Sequence, residues 1–305
     1  MAALVVVVVG GAWWLQRDTT SELLTATAIE SIAIPSLLLE EPTPLSELSP
    51  SLLEAFAERE VRGPLADLEG DASVLAFDGV HVVERDGLVI AIGLDKSGRA
   101  LCLAEQVAGT ETTSSRCGSV AGLLRDGVVV PTLSTTKDGQ SRTVVFLGED
   151  VVSIEMGDLS ALVERNVAVL NTGATDALVA RMSDGTSKSL ANVPDESVTA
   201  ELTIDGVTTT EGVTAGCSVV GDDYLVEATF AGEGVLLTAT VIPNGVRVSG
   251  NLNDNSVDVL TTSADVELSQ VEDTLIATAT WQAPGSPGSL TINCGQNLID
   301  LSSIR

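Results

Sequence analysis

Residues 80–94 read VHVVERDGLVIAIGL, two apolar, β-branched runs folded back on themselves at Asp86-Gly87. An Asp-Gly pair between such runs predicts a two-residue hairpin, because both central positions of that turn need a positive φ. The same punctuation recurs from about residue 72 onward. It stands at Asp78-Gly79, Ser97-Gly98, Asp126-Gly127, Asp138-Gly139, Asp184-Gly185, Asp205-Gly206 and Asn244-Gly245. Asn244-Gly245 is expected to join a strand over 236–243 to one over 246–249. Short strands at this interval predict antiparallel sandwich or barrel-like modules. Aromatic residues make up only 3% of the chain, so the cores must be built from Val, Leu, Ile and Ala.

The four cysteines fall by region, Cys102 with Cys117 and Cys217 with Cys294. Four cysteines allow three pairings, and pairing within each module is favoured because each core then closes independently. Strand alternation agrees with it: Leu290, Ile292 and Cys294 share one face, as do Cys217 and Val219, so both sulfurs can point between sheets. No C-x-x-C pair is present and His81 is the single histidine, which argues against a metal site. Disulfides place the chain in an oxidising compartment outside the cytoplasm.

Residues 1–15 (MAALVVVVVGGAWWL) form an uncharged apolar run. At about 1.5 Å per residue it reaches roughly 22 Å, short of the ~30 Å hydrocarbon core. Trp13 and Trp14, followed by Gln16 and Arg17, suit a membrane–water boundary. Residues 1–17 are therefore expected to be part of a transmembrane or signal-anchor helix; a cleaved signal and a buried soluble segment are the other readings. Residues 18–70 hold Pro35, Pro42, Pro44, Pro50 and Pro64 and read as a stalk. A short helix is expected near 50–61, with Ser49 as N-cap, Pro50 in its first turn and a Ser51/Glu54 capping box. Two β-rich modules follow, over 71–192 and 197–297, divided near Pro194, and the last residues either add a strand or fray.

The formal net charge of −28, with 15 Lys and Arg spread along 305 residues, argues against nucleic acid and against docking on anionic lipid. None of the H-E-x-x-H, G-x-S-x-G, phosphate-loop or dinucleotide motifs occurs. His81 reads as a strand-surface residue with nothing to deliver a nucleophile to it. Glu149 with Asp150, and Asp222 with Asp223, are the candidate carboxylate pairs, all in turn-like contexts. Residues 251–258 (NLNDNSVD) alternate oxygen ligands, yet Ser256 and Thr262 stand where a calcium loop needs glycine and glutamate. Gly232-Glu233-Gly234 is too short for a phosphate loop. No cofactor is expected.

Residues 200–206 (AELTIDG), 214–220 (TAGCSVV), 274–281 (TLIATATW) and 289–295 (SLTINCG) give the second module a strand, an early cysteine and a late strand pair closing on a terminal cysteine. In this it resembles the mycobacterial LpqH-type lipoprotein antigen family, over about a third of the chain. The resemblance implies an exported envelope protein with a small β-rich domain, discussed as an antigen or adhesin and not assigned an enzymatic activity. The chain departs from that family by lacking an N-terminal lipid-bearing cysteine and by carrying a further module. That first module (ALCLAEQ, 100–106; RCGSV, 116–120; TVVFLGEDVVSIEM, 143–156; RNVAVL, 165–170) is similar to uncharacterised extracytoplasmic domains of actinobacterial membrane proteins.

The expectation is a single-pass, non-catalytic cell-envelope protein whose modules face outward for binding, adhesion or a structural role toward an unknown envelope or surface ligand. A sensor or regulator ectodomain and an extracytoplasmic hydrolase using a carboxylate pair are the alternatives. Oligomeric state and contact between the modules are not readable from the sequence.

Overall fold

The computed structural model describes residues 32–304 apart from 57–58, 61–73, 112, 126–127, 130–131, 138–139, 173–177, 191–197, 211, 221–222, 244, 272–273, 284–285 and 296. The expected helix over 1–17 lies outside the described residues. No helix among those described is long and apolar enough to cross a membrane. The described chain is mainly β, with one short α-helix.

The hairpin of residues 80–94 forms as expected: Gly79–Arg85 pairs with Leu88–Leu94, and Asp86 and Gly87 take φ of 49° and 74°. The same geometry closes Thr199–Ile204 onto Val207–Thr209 through Asp205 and Gly206. It also joins Gly245–Leu252 to Asn255–Thr261 through Asn253 and Asp254. Residues 251–258 are therefore a hairpin. Among the described residues, no group of three or more His, Cys, Asp or Glu is placed to hold a metal ion. Val235–Ile242 and Gly245–Leu252 are partners, as read from Asn244-Gly245.

Among the described residues, the first module contains three main sheets. A meander of Thr43–Pro44, Gly79–Arg85, Leu88–Leu94, Ala100–Val107 and Thr113–Ser119 makes a five-stranded sheet. Its inner face (Val83, Leu88, Ile90, Ile92, Leu101, Leu103) packs with Val144, Phe146, Val167 and Val169 from a sheet of Thr132–Lys137, Gln140–Phe146 and Val167–Leu170. The alternate residues of that second sheet (Val145, Leu147, Ala168, Leu170) bury a third, in which Leu159–Leu162, Val151–Met156, Val179–Met182 and Ser187–Ser189 lie side by side. The middle sheet is thus covered on both faces, which explains why its stretches 144–147 (VVFL) and 167–170 (VAVL) read as unbroken apolar runs.

Residues 32–56 are built into this module. Leu37 and Leu38 are buried in its main core. The helix Pro50–Phe56 lies over the opposite face of the five-stranded sheet, with Leu52, Ala55 and Phe56 against Ala91, Ala100 and Ala104. Ser49 caps it, its Oγ accepting from the Leu52 N–H at 3.3 Å. The 3₁₀ turn Ser36–Leu39 begins directly after Pro35, a position where proline's fixed φ does no harm.

The second module is a two-sheet sandwich. Val207–Thr209, Thr199–Ile204, Ser286–Asn293, Thr274–Ala283 and Asp265–Val271 form one sheet. Asn255–Thr261, Gly245–Leu252, Val235–Ile242, Asp223–Gly232, Val213–Val220 and Leu298–Asp300 form the other. Trp281, Phe230, Leu237, Val248 and Leu290 lie in the core between them. The C-terminal residues do add a strand, Leu298–Asp300, and it runs parallel to Val213–Val220.

The modules share a core. Leu298 faces the sandwich interior, while Ile299, Leu301 and Val220 are buried among the first module's core residues. The 3₁₀ turn Ala121–Leu123 rests on the outer face of the six-stranded sheet, with Ala121 against Leu225 and Ile242. Ile32 donates its N–H to the Leu298 carbonyl at 2.6 Å, so the two ends of the described chain meet at this seam.

Candidate functional site

All four cysteines are joined as expected. Cys217 and Cys294 link the two sheets of the sandwich across its core, with their Cα atoms 5.9 Å apart. Cys102 and Cys117 are directly opposed on neighbouring strands of a single sheet, Cα atoms 4.1 Å apart, beneath the helix Pro50–Phe56. Both pairs are structural by position, one stapling two layers and the other two adjacent strands.

His81 is not a surface residue. It is 8% exposed, because the segment 36–40 and the turn at Arg165 close over its strand. Burial pushes its pKa down; the Glu40 carboxylate pulls it up and the Arg165 guanidinium adds to the depression. Arg165 pairs with Glu40 and donates to the Val82 carbonyl at 3.2 Å. Asn166 beside it is buried. Its Oδ1 accepts from the Leu37 N–H at 3.1 Å and its Nδ2 donates to Glu149 Oε2 at 3.2 Å. The Ser36 N–H also donates to Glu149, at 2.7 Å, and this bond holds the carboxyl below the usual carboxylate range. Glu149 therefore fastens the 36–40 segment, and its neighbour Asp150 accepts from the Ser183 N–H through its backbone carbonyl. This cluster is a latch over His81 in which Asn166, Glu149 and Glu40 each hold a structural partner.

Of the other candidate pair, Asp222 lies outside the described residues. Asp223 opens the strand Asp223–Gly232 and forms an ion pair with Arg99 of the first module. Four residues on, Glu227 points from the same outer face into the seam. The Ser119 hydroxyl donates to its Oε2 at 2.9 Å, and the Gly122 N–H donates to Ser119 Oγ at 3.0 Å. The residue keeps partial exposure, yet burial of its carboxyl raises the pKa, against a smaller lowering from the Ser119 and Thr240 hydroxyls.

The outer face of the five-stranded sheet in the sandwich lies on the far side of the core from the seam. Register sets its side chains in rows. One row reads Thr208, Thr203, Ser289, Thr280, Asp265, and the next reads Glu201, Thr291, Thr278, Glu267. Neighbours are about 4.8 Å apart across strands and about 6.8 Å along them. The interior of this face is short hydroxyl side chains, and its flanking strands carry the acids. Between residues 198 and 304, Arg247 is the sole Lys or Arg against 14 Asp and Glu. It sits on the opposite sheet, paired with Asp258 at 3.0 Å.

Sequence reading missed Glu227 and this hydroxyl face. Alternation marks both as outward-facing, and only the docking of the first module separates a covered face from an open one. No protein-family model matches the chain, and no curated protein does.

Proposed function

We propose that the chain is a non-catalytic cell-envelope protein, held outside the cytoplasm, that binds a cationic partner on the open face of its five-stranded sheet. The observation that carries this is the face itself: rows of Thr and Ser edged by Glu201, Asp265 and Glu267, in a module with a single base. Short hydroxyl side chains lose little entropy when covered, and the surrounding negative field steers a cation toward them. Two disulfides support an oxidising address. The bridge between sheets also supports an LpqH-like second module, and the apolar run at 1–15 would supply attachment to the membrane.

The test is titration of the oxidised protein with a lysine-rich peptide at two salt concentrations. Glu201→Gln with Asp265→Asn and Glu267→Gln is expected to weaken binding about tenfold at low salt, from roughly 0.3–0.5 kcal/mol per surface charge. A control replacing Glu84, Glu111 and Glu155 of the first module should bind as the parent does. Equal loss in both variants, or no loss in the first, would remove this face from the function.

A further inference from the structure

We propose that Glu227 is a proton-operated clasp between the two modules: neutral, it holds the turn Ala121–Leu123 onto the six-stranded sheet, and ionised, it loosens that contact. The geometry is a relay of three groups from two modules. The Gly122 N–H donates to Ser119 Oγ, whose hydroxyl donates to Glu227 Oε2. Gly122 lies so close over the carboxyl that a Cβ there would collide with Glu227 Oε1 and with Ser119 Oγ. The turn must therefore stay where it is for the relay to exist, and the relay reports directly on seam closure.

Among the described side chains no cation is aimed at this carboxyl; Arg125, which follows the turn in Leu124–Arg125, lies outside the described side chains. The described residues of the turn Ala121–Leu123 and of the strands Val213–Val220 and Val235–Ile242 carry no ionisable side chain other than the bridged Cys217. Asp223, on the same face of Glu227's own strand, is paired with Arg99. Arg247 stands in the same cross-strand row one strand beyond Thr240, roughly 9.6 Å away by strand spacing, and is paired with Asp258. From Thr113–Ser119, Arg116 lies on the face opposite to that of Ser119 by alternation. Among the described side chains, charge on Glu227 is thus opposed by burial and met by the neutral Ser119 hydroxyl.

The sign follows. The folded-state pKa is raised, so the seam is tightest below the ordinary glutamate value and weakens as pH climbs through the raised one. The clasp is independent of what the open face binds.

Hydrogen exchange of the Gly122 amide and of residues 216–220, corrected for intrinsic rates, tests it on the oxidised chain between pH 4 and 9. In the parent, protection at the seam should fall several-fold with rising pH while residues 275–281 stay constant. Glu227→Gln keeps an acceptor for Ser119 and cannot ionise, so its seam protection should stay at the parent's low-pH level throughout. Ser119→Ala removes the middle of the relay and leaves the Gly122 N–H without its acceptor, so seam protection should sit near the parent's high-pH level at every pH. A parent seam with pH-independent protection would overturn the proposal. So would a Glu227→Gln variant that keeps the parent's pH dependence, or a Ser119→Ala variant that keeps the parent's low-pH protection.

Discussion

Removing the bridge of the sandwich by Cys217→Ala with Cys294→Ala should destabilise the whole molecule, not one half of it. The bridge spans a sequence separation of 77. A loop of that length loses roughly 15 cal/mol/K of unfolded-chain entropy when closed, about 4.5 kcal/mol at 25 °C. The strand Leu298–Asp300 begins four residues after Cys294, and Ile299 and Leu301 are buried in the first module's core. Losing the anchor at residue 294 therefore also withdraws core residues from the other module. Calorimetry under non-reducing conditions should show one cooperative transition lowered by about 7 °C, from ~2.1 cal/mol/K of unfolding entropy per residue over 305 residues. The bridge Cys102–Cys117 spans only 15, and removing it should cost less, about 3 kcal/mol. Two separate transitions in the first variant, with one at the parent's temperature, would refute the coupling through the C-terminal strand. Equal shifts in the two variants would refute the loop-length argument.

As the single histidine, His81 gives an unambiguous proton NMR titration, and its midpoint should fall below 6.5 because burial disfavours the imidazolium. Its contribution to stability is then complete above 6.5 and declines as pH drops through the folded value, opposite in sign to that of Glu227; a midpoint at or above 6.5 would contradict its burial. Asn166→Ala should lower stability by about 1–3 kcal/mol in denaturant unfolding, since it leaves the buried Leu37 N–H without its acceptor. Gly216→Ala should cost about 1–3 kcal/mol, because the added Cβ would collide with the Ala121 carbonyl and press on Leu124 across the seam. Hydrogen exchange should then rise at residues 121–124 more than at 275–281.

Local chemistry was legible wherever a turn carried its own signal. Asp86-Gly87 and Asp205-Gly206 form the expected two-residue turns, and alternation placed Cys217 and Cys294 on facing sheets. Arg165 and Asn166 take the same positive φ, 49° and 61°, without any glycine to announce it. The proline-bearing segment read as a stalk hides Leu37 and Leu38 in a core, because proline spacing reports where a helix is broken and not what the intervening leucines touch. The third sheet of the first module was not foreseen, since an apolar strand reads alike whether one neighbour layer or two cover it. Glu227 stood unmarked for a related reason: alternation assigns it to an outer face, and the turn that covers it comes from residues more than a hundred positions earlier.

Because Ile32 donates a hydrogen bond to the Leu298 carbonyl, the described part of the fold begins and closes at one seam. In a chain trimmed to residues 32–301, a short linker from residue 301 to residue 32 would make a ring, and a new opening at the exposed turn Asp205-Gly206 would reorder it without disturbing the shared core. Such a permutant would fold only if the seam assembles regardless of which strand is made first.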